Sequence, residues 1–96
     1  MCIHFSRRYE WDPSKARTNA LKHGVRFSDA VAVFGDALAI TAGDSHVGEE
    51  RCVTIGMDAF ARVLVVVYTW RGSAVRLISA RKATRAELAQ YTKGEP

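Results

Sequence analysis

The chain has 96 residues, which suits one domain, since domains commonly run about 100 to 150 residues. With 48% hydrophobic and 25% charged residues it is composed like a folded globular chain rather than a disordered one. Its longest apolar run, residues 63–68, falls far short of the about 20 that span a bilayer as a helix. Fourteen Lys and Arg against ten Asp and Glu leave a formal +4, which favours polyanionic partners but equally serves a protein kept away from its isoelectric point.

Taken in order, residues 3–11 place Ile3, Phe5, Tyr9 and Trp11 at alternate positions, a first strand with one wet face. Asp12-Pro13 then starts a helix: Asp12 is the N-cap, and Pro13 stands at the first helical position, where its missing N–H is not needed. The helix runs to His23, with Gly24 as the left-handed closing residue. Ala16, Ala20 and Leu21 give it a narrow apolar stripe, while Lys15, Asn19 and Lys22 neighbour one another across its turns. Ser28 caps a shorter helix carrying Val31, Val33 and Phe34, closed by Gly35. Residues 38–41 read as a strand and 42–48 as a loop. Residues 50–55, 62–69 and 75–80 are three further strands joined by hairpin-length turns, so they are expected to be antiparallel neighbours. Residues 63–68 are apolar on both faces, which marks their strand as the central one. Thr84-Arg85-Ala86-Glu87 is a capping box that opens a last helix through Leu88 and Tyr91. The expectation is an α+β domain over residues 1–96, with two N-terminal helices, an antiparallel sheet of about four strands and a C-terminal helix. So small a core leaves room for a partner or a second copy to add stability.

Cys2 and Cys52 do not form a disulfide framework and read as free thiols in a reducing compartment, Cys52 acting as a small hydrophobe. His4, His23 and His46 have no metal-type spacing with each other or with the cysteines, so no metal or other cofactor is expected. No charged segment followed by an apolar one opens the chain, which argues for a cytoplasmic rather than a secreted protein.

The functional signal is cationic. Arg76, Arg81, Lys82 and Arg85 fall within ten positions around the end of the last strand, with Glu87 the only carboxylate beside them. Such a cluster is suited to phosphate. Val75 and Leu77 belong against the helices, which turns Arg76 to the opposite face, and Tyr68 is expected on that same face. Fixed guanidinium groups aimed at a phosphate supply charge stabilisation there. Arg81, Arg51 and Arg76 are the candidates, the alternative being a solvated strand edge or salt bridges to Glu49 and Glu50. His23, whose protonated form a helix C-terminus favours, and Glu50 are the candidates for proton transfer, against helix closure and pairing with Arg51. Lys15, Lys22, Lys82, Arg85 and Tyr68 complete a candidate set for a polyanionic ligand, although a solvated helix face explains the lysines equally well.

Three blocks resemble the BrnT family of bacterial toxins. They are Trp11-Asp12-Pro13-x-Lys15-x-x-x-Asn19-x-x-Lys22-His23-Gly24-Val25-x-Phe27, then Gly48-Glu49-Glu50-Arg51 running to Ile55-Gly56, then Ile78-Ser79-Ala80-Arg81-Lys82-Ala83. The resemblance implies a RelE-like fold and metal-independent cleavage of RNA that inhibits translation, with Lys15, Lys22, Lys82, Arg85 and Tyr68 binding the RNA. Cleaving RNA without a metal requires deprotonating a 2′-hydroxyl, neutralising a phosphorane and protonating the 5′-oxygen, for which Glu50, the three arginines and His23 are the respective candidates. It also implies neutralisation by a BrnA-like ribbon-helix-helix antitoxin, through which alone the complex meets operator DNA. The competing reading from residues alone is a non-catalytic basic module that binds nucleic acid or a partner protein.

Overall fold

Asp12 and Pro13 start helix α1 (Pro13–His23) as expected: the Asp12 carboxylate accepts the Ser14 N–H, and Gly24 closes the helix at φ 68°. The structure, a computed structural model, describes residues 8–46 and 49–94, apart from the side chains of residues 44–50. Before α1 lies strand β1 (Tyr9–Glu10); the expected strand at 3–11 falls mostly outside the described residues. After α1 come a short helix α2 (Phe27–Ala30) and a 3₁₀ turn (Val31–Gly35). Ser28 does not cap α2. The cap position is Arg26, whose extended backbone leads into the turn while its carbonyl accepts the N–H groups of Asp29 and Ala30.

The sheet has five described strands rather than about four, and it is mixed rather than antiparallel. Strands β2 (Ile40–His46), β3 (Glu49–Met57), β4 (Val63–Arg71) and β5 (Ala74–Lys82) form an antiparallel meander, and β1 joins the outer edge of β5 in parallel. The order is β1-β5-β4-β3-β2, so the doubly apolar β4 is central, as its sequence requires. Residues 42–46, expected as loop, extend β2, because β3 supplies backbone partners that local composition does not advertise.

One sheet face packs against α1, α2 and the 3₁₀ turn. Leu64, Val66, Tyr68, Val75, Leu77 and Ala80 meet Val25, Phe27, Ala30 and Val33 there, all nearly or fully buried. Each full burial of such a side chain contributes about 1.5 to 3 kcal/mol. Gly56 of β3 passes so close beneath the 3₁₀ turn that an added Cβ would stand 3.0 Å from the Val33 Cβ and 3.1 Å from the Val33 carbonyl oxygen. Tyr68 lies on this packed face, opposite to the expectation. Its register partner is Leu77, it is fully buried, and its hydroxyl shares a 2.9 Å hydrogen bond with Thr54. A side chain so enclosed does not reach a ligand on the other face. Cys52 is buried beside it and is disulfide-bonded, not free.

Helix α3 (Arg85–Lys93) packs on the opposite face, against β3. The expected capping box is present. The Thr84 hydroxyl accepts the Glu87 N–H, and Glu87 accepts the Thr84 N–H at 2.8 Å. At its far end the Tyr91 hydroxyl donates to Asp36 at 2.7 Å. Asp36 also accepts the N–H groups of Leu38 and Met57. Burial works to raise its carboxyl pKa, but these three hydrogen bonds outweigh that and hold it below its ordinary value. Among the described residues no helix is long and apolar enough to cross a membrane.

Candidate active site

The site depends on a flaw in alternation. In β5, Ser79 pairs with Val67 and Leu77 with Tyr68, so the intervening Ile78 has no partner in the register and forms a bulge. Strict alternation would send Arg76 and Arg81, five positions apart, to opposite faces. The bulge reverses the phase. Arg76 now stands across from Thr69 and Arg81 across from Val65, two β4 residues four apart and therefore on one face, the one opposite the core. Ser79, which the sequence groups with Val75 and Leu77, is moved to that face as well.

On the part of this face that α3 leaves bare, Arg51, Thr69, Arg71 and Arg76 line a small hollow of about 80 Å³ with Lys15 of α1, Leu77 and Ile78. Four cationic side chains thus surround it, and among the described residues lining it none is acidic. Arg76 is fixed by Glu10, to which its Nη1 donates at 2.7 Å; the parallel pairing of β1 with β5 sets these two residues side by side. The Nε of Arg51 is buried, and the side chain lines the hollow.

Arg81 shares the face but not the hollow. It lies about 15 Å farther along β5 at the usual strand rise. Its Nη1 and Nη2 donate to Oε1 and Oε2 of Glu87, both at 2.7 Å. This bidentate pair, aided by the Thr84 hydrogen bonds, holds the Glu87 carboxyl down at about 2 and raises the Arg81 pKa. The cation placed first by sequence reasoning is therefore a fastening for α3, while Arg51 and Arg76 do meet. Lys82 and Arg85 are exposed around the same helix start and do not line the hollow.

Lys15, Lys22 and His23 line a second depression, a groove of about 370 Å³ between α1 and β5, together with Ser14, Thr18, Asn19, Ile78 and Ser79. Lys15 and Ile78 belong to both depressions, so groove and hollow adjoin. Asn19, which is 6% exposed, lines the groove between the two elements. Its Nδ2 donates to the carbonyls of Val25 (2.9 Å) and Ala80 (2.8 Å), and its Oδ1 accepts the Ala80 N–H at 3.1 Å. Where β1 stops, the side-chain amide takes over as the edge partner of β5. Glu50 lies in β3 beside Arg51, its side chain outside the described residues.

Sequence reasoning missed Arg71, Glu10 and the role of Asn19. Arg71 could have been found by continuing the β4 alternation two residues past Thr69. Glu10 required knowledge of the parallel pairing. Asn19 stands among lysines in the sequence and gives no local sign that its amide is buried.

Fold and hollow together define an α+β protein that presents clustered cations on a part of the sheet that, among the described residues, α3 leaves uncovered, an arrangement suited to a phosphate diester. The comparisons give the family. The model described as the ribonuclease toxin BrnT of type II toxin–antitoxin systems matches residues 11–87, and the chain belongs to this family. Its structure is similar to the crystal structure of the Brucella abortus ribonuclease toxin BrnT, at 26% identity and a TM-score of 0.62, covering 81% of this chain and 99% of that one. No curated protein matches the sequence.

Proposed function

We infer that this chain is a metal-independent endoribonuclease of a toxin–antitoxin pair, a single RelE-like domain that inhibits translation by cutting RNA in the cytoplasm. A ribbon-helix-helix antitoxin neutralises it and carries the complex to operator DNA. The observation that supports this most is the convergence of Arg51, Arg71, Arg76 and Lys15 on one hollow.

A phosphodiester seated there undergoes attack by the neighbouring 2′-oxygen. The 2′-oxygen–phosphorus bond forms, the bond from phosphorus to the 5′-oxygen breaks, and the products are a 2′,3′-cyclic phosphate and a 5′-hydroxyl. Arg51 and Arg76 face the equatorial oxygens and stabilise the charge that grows on the phosphorane. The 2′-hydroxyl proton passes to a base, for which Glu50 beside Arg51 is the candidate. The 5′-oxygen takes a proton from an acid, for which His23 in the adjoining groove is the candidate. Lys15 and Arg71 hold the flanking backbone.

The test is incubation of the purified protein with RNA in excess chelator. Cleavage that persists in chelator and is lost in Arg76→Ala, with thermal unfolding unchanged, supports the reading. RNA that binds yet stays intact overturns it in favour of a non-catalytic basic module.

A further inference from the structure

The two adjoining depressions differ in size by more than fourfold, about 80 against about 370 Å³. Small-molecule sites begin at about 300 Å³, so the cationic hollow admits an anionic group and no more, whereas the groove between α1 and β5 is large enough for a nucleoside. The lining differs in kind as well. The hollow is ringed by guanidinium groups. The groove has Ile78 in its wall, hydroxyls from Ser14, Thr18 and Ser79, cations at Lys15 and Lys22, and the His23 imidazole. Asn19 has its amide committed to Val25 and Ala80, so it shapes the groove without being available to a ligand.

We propose that this groove is a nucleobase subsite, receiving the base of the nucleotide next to the phosphodiester held by Arg51 and Arg76. The proposal rests on the ribonuclease reading for the occupant of the hollow. Lys15 stands at the boundary and contacts the phosphate shared by both sites. The base lies against Ile78, and the Thr18 and Ser79 hydroxyls meet its polar edge, which makes these two the specificity-determining residues. The bulge serves both depressions: the residue it displaces, Ile78, is the wall between them. Charge and continuity select the occupant. A nucleotide presents its apolar base to the groove only while its phosphate sits among the cations.

The experiment follows backbone amide shifts of the intact protein by NMR during titration with inorganic phosphate, ribose 5-phosphate, adenosine, and adenosine and cytidine 5′-monophosphates. Phosphate and ribose 5-phosphate are expected to shift Lys15, Arg51 and Arg76 but not Thr18 or Ser79. The nucleotides are expected to shift Thr18, Ile78 and Ser79 as well and to bind about tenfold more tightly than ribose 5-phosphate, the step that about 1.4 kcal/mol gives. Thr18 is exposed on α1, so Thr18→Phe fills the groove without disturbing the core. This variant should keep the response to inorganic phosphate, lose the nucleotide advantage and change the pattern of cut positions in RNA. Arginines that respond while Thr18 and Ser79 stay silent overturn the subsite and leave the nuclease reading standing. Silent arginines with Thr18 and Ser79 responding to adenosine overturn the nuclease reading and, with it, the placing of the base beside a held phosphodiester. Thr18 and Ser79 shifts that grow with protein concentration in the absence of nucleotide assign the groove to self-association and overturn the proposal.

Discussion

The face of the sheet away from the core has two halves, built from the same strands and treated in opposite ways. Under α3, Ile55 and Val65 are nearly buried, and the guanidinium of Arg81 is engaged at both terminal nitrogens by Glu87. On the bare half, Arg51, Arg71 and Arg76 stand around a hollow with Lys15, and Arg76 is held by a single contact to a half-exposed Glu10. Guanidinium groups therefore occur in both halves with different consequences. A bidentate carboxylate turns the cation into a structural fastening, whereas a hollow whose described lining holds no acid is suited to meet an anion. The number of arginines says little; where the carboxylates fall decides their function.

The sharpest way to break this comparison is to truncate one cation from each half. Arg51→Ala or Arg76→Ala should lower RNA cleavage by about 10²- to 10³-fold, the usual loss for one transition-state donor, with thermal unfolding nearly unchanged. Arg81→Ala should do the reverse, lowering the melting temperature while costing far less activity. Equal losses of activity from all three would merge the two halves. Next in size is Asn19→Leu, which strands the Ala80 N–H and the Val25 and Ala80 carbonyls at a buried edge. About 3 kcal/mol of stability should be lost in urea denaturation.

A smaller effect is expected at the fastened half. Because Glu87 titrates at about 2 in the folded protein and near 4.5 without its partners, its pair with Arg81 stabilises fully above pH 4.5. That contribution fades as pH falls through 2. Glu87→Gln keeps the reach of the capping box but not the pair. It should cost about 1 kcal/mol at neutral pH and flatten the acid limb of the stability profile between those values, as read by thermal melts across pH. The least of the effects belongs to Arg71→Ala, which should reduce the slope of RNA affinity against salt by about one phosphate contact and weaken all sequences alike.

Much of this architecture is legible in the chain. Asp12-Pro13 and Gly24 bound α1, Thr84 and Glu87 start α3, and the doubly apolar run of β4 places it centrally, because each signal is local. The fastened arginine was half legible. Glu87 is the lone carboxylate near the cationic cluster, yet it was read as a helix cap only. One of its oxygens can serve the Thr84 N–H and Arg81 together, and the other completes the fork. The partnerships that were not legible are those between distant segments. The parallel contact of β1 with β5 joins residues 66 positions apart, and the amide of Asn19 reaches Ala80 across 61. Tyr68 was assigned to the wrong face because two apolar faces give no sign of which one the helices cover. The bulge at Ile78 left no mark at all, since the residues around it fit an unbroken strand.

That surplus residue acts as a half-step in a two-beat rhythm. Were residues 76 to 81 instead paired one for one with their neighbour strand, with no residue left over, Arg76 and Arg81 would point away from each other, one of them driven toward the oily interior. A chain with the same charges and the same helices, but without this syncopation, would keep its isoelectric point and lose its binding face.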